Sequence, residues 1–222
     1  MIRNRGIALN DRPWWLSGGI PPANCVAAYR AVGATDLASS YTNLANPGLY
    51  DLTLGTAPAW GVDTGWVFNG TTNSRYLKTG IIPKLDQSWS AIVRVKLSSV
   101  AQKAVYFSRS GTNKDFGLYM DGGTYWRAYN VVNVALLYGG NPVDVEVIFG
   151  MTGRQAYYND IANPNLIGAG STTATQGIYL GAANLSGSPD LYMIGNIYCV
   201  AFYDTVLTHH QIVSLGIEMK KL

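Results

Sequence analysis

The amino-acid sequence predicts an all-β protein, a sandwich of two antiparallel sheets with one short helix near the C-terminus. Three observations carry this expectation. Of the 222 residues 48% are apolar and only 13% charged, while 25 glycines and 15 tyrosines supply turns and aromatic surface. Apolar residues alternate with a period of two in several short runs, the spacing of half-buried strands. These runs outnumber helical patterns too heavily for βαβ units, and their spacing suits stacked antiparallel sheets. An up-and-down barrel would show similar alternation, but long loops and irregular spacing fit crossing connections better. A 24.0 kDa chain is expected to expose about 9,900 Å² of surface, enough burial for one substantial core.

Residues 1–22 differ from the rest, with Arg3, Arg5 and Arg12, the pair Trp14–Trp15, and glycine and proline between Ser17 and Pro22. They read as an irregular arm, followed by a single sandwich domain over 23–222. The first strand is expected at Val26–Tyr29, and a helical turn within Asp36–Tyr41 precedes a polar loop through Asn43, Asn46, Pro47 and Gly48. Gly65–Phe68 reads as a strand ending in an Asn69-Gly70 turn, and Arg75–Gly80 continues the sheet.

The clearest alternation puts Trp89, Ala91, Val93, Val95 and Leu97 on the core and largely wets Ser88, Ser90, Ile92, Arg94 and Lys96. Ala104–Ser108 and Phe116–Met120 follow, divided by a turn at Ser110–Asn113, and then Tyr125–Tyr129. Val143, Val145, Val147 and Phe149 form the next inward set, alternating with Asp144, Glu146 and Ile148. Gln155–Tyr158 runs into a hairpin tip at Asn159-Asp160. Gly177–Gly181 and Gly195–Tyr203 complete the strands, with residues 197, 199 and 201 as a buried stripe. Thr208 and Gln211 stand at capping-box spacing, and Ile212, Leu215 and Met219 recur with helical period. Gly216 weakens the middle, so about two turns are expected.

Sixteen basic against thirteen acidic residues leave +3, too little to argue for nucleic acid without a dense cluster. The one cluster lies in the arm. Arg3, Arg5, Arg12, Trp14 and Trp15 are therefore candidate partner-binding residues, because both side-chain types bury large surfaces with directional donors. Self-packing of the tryptophan pair is the alternative. No run approaches the roughly eighteen apolar residues of a membrane span, so no membrane insertion is expected. Asn10, Asp11, Arg12 and Pro13 interrupt any signal-peptide core. Cys25 and Cys199 lie in apolar context, which favours buried free thiols over a disulfide.

Several segments resemble the LamG-like, concanavalin A-like jelly-roll family. Trp66–Gly70 and Arg75–Leu77 are similar to its early "F-x-G … Y-L" pattern, and Ser88–Val95 to its alternating "sWTi" strand. Gln155–Asp160 sits where the family often reads "v-Y-v-N-G", with Asp160 in place of the glycine. Ile178–Gly181 resembles the "i-x-i-G" strand, and Gly195–Thr208 the closing "G-x-I-d-x-v-x-i-Y-n-r-x-L-s" signature. The resemblance spans residues 25–217 and implies a jelly-roll fold, not an activity. The chain also resembles single-domain proteins of tailed-phage and prophage structural regions, through Trp15–Ile20 and Tyr41–Gly48. That implies a virion structural protein for capsid decoration or host attachment, with itself and other virion proteins as partners and homo-oligomers expected. A carbohydrate-binding, lectin-like module recognising a cell-surface glycan is the alternative.

On this reading no enzyme, cofactor or metal is expected. The chain has two glutamates, Glu146 and Glu218. Asp144 and Glu146 have the spacing of an acid pair, but related glucanases of this fold use Glu-x-Asp-x-x-Glu, which is not present here. His209 and His210 fall in a first helical turn and point about 100° apart, which disfavours a shared metal. Asp190, Asn196 and Asp204 are calcium candidates through their place near the closing signature. For a sugar, the candidates are Tyr125, Trp126, Tyr129, Tyr157 and Tyr158, with core packing as the competing role of each.

Overall fold

A computed structural model describes residues 12–70, 75–84, 88–99, 101, 103–110, 113–121, 125–130, 134–139, 143–153, 155–159, 161–163 and 175–222. Arg3, Arg5, Asp160, the tip after Gly70, the middle of the 110–113 turn and the side chain of Tyr125 lie outside the described residues.

Among the described residues the strands are β1 (Cys25–Arg30), β2 (Thr53–Thr56), β3 (Ala59–Gly61), β4 (Gly65–Asn69), β5 (Tyr76–Lys78) and β6 (Ser90–Leu97). Then come β7 (Lys103–Ser110), β8 (Asn113–Asp121), β9 (Tyr125–Asn130), β10 (Val134–Gly139), β11 (Glu146–Thr152) and β12 (Gln155–Tyr158). The last are β13 (Ile161–Asn163), β14 (Tyr179–Leu180), β15 (Ala183–Leu185), β16 (Ser188–Asp190) and β17 (Ile194–Tyr203), before helix α1 (His209–Met219). One sheet runs β13-β12-β11-β6-β17-β4-β3, with β1 also on β17. The other runs β10-β9-β8-β7-β14-β5-β2, with β15 on β7 and β16 on β15. All strand pairs are antiparallel except β7 with β15. The chain crosses between sheets from β4 to β5, from β5 to β6 and from β6 to β7. The all-β sandwich of two sheets with one C-terminal helix is the observed fold.

Trp89, Ala91, Val93, Val95 and Leu97 enter the core between the sheets, as the period of two demands, and meet Val147, Phe149 and Met151 of β11. The other face of β6 departs from expectation, since Ser90 and Ile92 are also buried. The cause is tertiary. Helix α1 and residues 14–20 cover this outer face, and Ile92, Ile148, Ile212, Leu215, Trp14 and Ile20 share a second apolar cluster. Val145 is a correction as well, because it is 49% exposed. Asp144 takes φ 59° just before β11 begins at Glu146, so the alternation does not extend back that far.

Residues 197, 199 and 201 are all buried, but not on one face. A bulge between Ile197 and Cys199 reverses the alternation, sending Val200 and Phe202 inward and Cys199, Ala201 and Tyr203 under α1. Cys25 and Cys199 are free thiols. In the β1–β17 ladder they face Tyr203 and Arg30 respectively, so four residues of strand separate them. That is about 13 Å, beyond the roughly 7 Å a disulfide spans.

The capping box at Thr208 and Gln211 forms as expected. α1 then runs for 11 residues rather than two turns. Ile212, Leu215, Gly216 and Met219 all lie against the sheet, and that burial outweighs the weak propensity of Gly216. No helix among the described residues is long and apolar enough to cross a membrane.

Candidate functional site

The loop from Asn43 to Asp51 is built around one buried amide. Asn43 Oδ1 accepts from the backbone N–H groups of Ala28 at 3.0 Å, Ala45 at 3.1 Å and Asn46 at 3.3 Å. Its Nδ2 donates to the carbonyls of Val26 at 3.0 Å and Leu49 at 2.7 Å. Asp51 closes the loop by accepting from the N–H groups of Asn43 and Gly48. Asn46 Nδ2 ties it to β1 through the carbonyls of Cys25 and Val26. Irregular backbone satisfied this fully is held in one shape.

That shape carries strain at its tip. Tyr50 takes φ 60°, a left-handed conformation that costs a bulky residue of order 1 kcal/mol or more. Tyr29 Oη fixes it by donating to the Tyr50 carbonyl at 2.6 Å. Burial raises the Tyr29 hydroxyl pKa, with the Asp51 charge adding to it, so the donor proton stays in place. Tyr50 is left 39% exposed beside Leu49, which is 55% exposed.

A groove of about 320 Å³ opens next to this tip. Leu49, Tyr50, Ile81, Ile82 and Lys84 line it, with Ile82 53% exposed. Cys25, Val26 and Trp89 line it from the sandwich, and Asn46 and Asp204 add polar groups. The Cys25 thiol is pushed up to about 12, first by burial and then by the Asp204 charge, so it contributes a neutral surface. The groove therefore combines an aromatic face, aliphatic walls, one cation and one carboxylate.

The aromatic residues assigned from sequence to a sugar are elsewhere. Trp126, Tyr129 and Tyr157 are buried, and Tyr158 is half-buried against the core. Trp126 and Tyr129 are corrections, because both rings are wholly covered; Tyr157 lies beneath α1 in the outer cluster. Trp14 is likewise covered by its own chain, which corrects its role as an anchor for a partner. Trp15 is half-buried beside it, and Arg12 is exposed at the start of the described residues. His209 and His210 are exposed, with the His209 ring 5.4 Å from that of Tyr157.

The acids are dispersed. Glu146 makes a two-point ion pair with Arg94, Glu218 pairs with Lys221, and Asp144 accepts from Ser98 Oγ. Asn196 and Asp204 are separated by eight residues of extended chain, about 26 Å, too far to share a calcium ion. Asn196 Nδ2 donates to the Thr64 carbonyl, and Asp190 Oδ1 accepts from the Leu191 N–H. Tyr50 escaped sequence reading because Asn43–Gly48 looked only like a polar loop. The exposed Leu49-Tyr50 pair directly after Pro47-Gly48 was the available signal.

No family model matches the chain, and no curated protein matches it. Its fold is shared with solved structures. Trypanosoma rangeli sialidase in complex with sialic acid aligns with TM-score 0.65 and 14% identity, over 90% of this chain and 34% of that one. A mutant of the same sialidase displaying trans-sialidase activity aligns with TM-score 0.63 and 17% identity, over 90% and 34%. This chain thus spans about a third of the sialidase. Domain 4 of AbnA, a GH43 extracellular arabinanase from Geobacillus stearothermophilus, in complex with arabinotriose, aligns with TM-score 0.57 and 14% identity. That match covers 87% of this chain and 98% of the domain. The expectation of a chain apart from enzymes is corrected here, since these neighbours are a sialidase and a domain of an arabinanase. None of the three concerns a virion. At these identities the likeness is one of fold: the chain shares the β-sandwich of these solved structures.

Proposed function

We propose that this domain binds carbohydrate, with the Leu49–Tyr50 groove taking a short, uncharged saccharide. The observation that carries the reading is Tyr50, an exposed ring held at φ 60° by a fully hydrogen-bonded loop at the mouth of a groove. Strain maintained by surrounding structure is a mark of functional positions. Sugar rings present C–H faces that pack on an aromatic ring, and hydroxyls that pair with polar groups at the edge. Among the described residues Asn46 bonds only through its Nδ2 and backbone, which leaves Oδ1 for a hydroxyl, and Lys84 and Asp204 supply a donor and an acceptor of opposite charge. A groove of this size falls at the small end of ligand sites. The arabinanase domain of the same fold, solved in complex with arabinotriose, lends support.

Calorimetry against arabinotriose and a panel of neutral oligosaccharides tests the reading. Tyr50→Ala should weaken binding by about fivefold to tenfold, the value of one aromatic contact. Tyr50→Gly should lose the same affinity without lowering Tm, because glycine relieves the positive φ. Unchanged affinity in both variants, or a panel with no ligand, sinks the assignment.

A further inference from the structure

A second cavity, of about 670 Å³, lies between α1 and the segment from Arg12 to Gly19. Its two walls are fixed independently of any ligand. On one side Trp14 and Leu16 are buried in the outer cluster, Tyr203 Oη donates to the Trp15 carbonyl at 2.9 Å, and Ser17 Oγ donates to that of Trp14. Gly18 brings this wall against the helix in a left-handed turn of φ 70°. A Cβ there would stand 2.8 Å from Gln211 Cα, so only glycine permits the approach. On the other side, His210, Ser214 and Ile217 of α1, and Lys221 just beyond its end, line the cavity. The space between them is preformed.

Its charge is uneven. Among the described residues Glu218 is the one carboxylate lining it, and Lys221 Nζ already pairs with it. Arg12, which also lines it, has no ion pair or hydrogen bond among the described residues. His210 adds ring nitrogens, and Ser214 a hydroxyl. A guanidinium among the residues lining a preformed cavity suits an oxyanion, which it can grip with two parallel donors.

We propose that this cavity is a second binding site, separate from the Tyr50 groove, for a small ligand bearing a carboxylate or phosphate group. Arg12 holds the charged oxygens, while His210 and Ser214 contact the polar remainder. Titration of the full chain, followed by backbone amide NMR, tests it with sodium glucuronate, inorganic phosphate and glucose as three separate probes. Either anion should shift the amides of Gly18, Gly19 and Ser214, and the tighter of the two identifies the source of the charge. Arg12→Ala, an exposed change that leaves the fold intact, should weaken that anion about tenfold. Tyr50→Ala should leave it unchanged, which separates failure of this site from failure of the groove. No anion shifts at those amides, equal shifts from glucose, or full affinity in Arg12→Ala would each overturn the proposal.

Discussion

Cys25 and Cys199 share a chemical state for different local reasons. Burial pushes each thiol up to about 12; the Asp204 charge adds to this at Cys25, whereas Arg94 and Arg30 oppose it at Cys199 without prevailing. Tyr29 and Tyr203 move in the same direction, again chiefly through burial. The folded chain therefore keeps these protons at pH values where the unfolded thiols, ionising near 9.0, have released theirs. Stability present below pH 9 should decline as pH climbs toward 12, each thiol contributing at most about 1.4 kcal/mol per pH unit. Urea midpoints measured from pH 8 to 11 should fall steeply above 9. Iodoacetamide at pH 8 should label neither cysteine until urea unfolds the chain. Labelling of the native protein at the rate of a free thiol would refute this burial.

At the scale of elements, Arg94 joins three pieces. Its guanidinium grips Glu146 of β11 at 2.7 and 3.0 Å, donates to the Met219 carbonyl at 3.0 Å, and lies 4.7 Å over the Tyr198 ring. The bulge in β17 leaves Tyr198 without a partner on β6, between the pairs of Ile197 and Cys199. The helix end is thus tied to both central strands. Arg94→Met keeps the aliphatic stem and removes these bonds, at a cost of about 1–2 kcal/mol once the exposure of Glu146 is allowed for. Thermal unfolding should then begin about 3–6 °C lower, with faster amide exchange confined to the last turn of α1. An unaltered Tm would show that apolar packing alone seats the helix.

Across the whole molecule, the accessible surface is 9749 Å², close to the expectation for a single body of this mass. Part of that burial comes from a segment that composition marks as an arm. Trp14, Leu16 and Ile20 pack with Leu215, Ala201 and Tyr203, so removing them uncovers the outer cluster. A chain starting at Ala23 should lose about 5 kcal/mol, from three buried apolar side chains. Its Tm should fall by about 10 °C or more in calorimetry. Equal stability of the two chains would mean that the segment rests on the sandwich without supporting it.

The alternating strands, the inward set of β6 and the cap of α1 are legible before folding, because each follows from spacing within one short stretch. Trp89 to Leu97 need only a period of two, and Thr208 and Gln211 only three residues between them. Tertiary structure decided the rest. Ile92 is buried because a helix more than a hundred residues later lies over it, and the parity of β17 reverses at a bulge that no pattern announces. Trp126 and Tyr129 were plausible surface aromatics until the fold enclosed them. Tyr50 became a candidate site only when Tyr29, Asn43 and Asp51 converged to hold it in a conformation its own residue type disfavours. Local spacing tells which side of a strand turns inward, but contacts between distant segments decide what covers the other side and where strain is held.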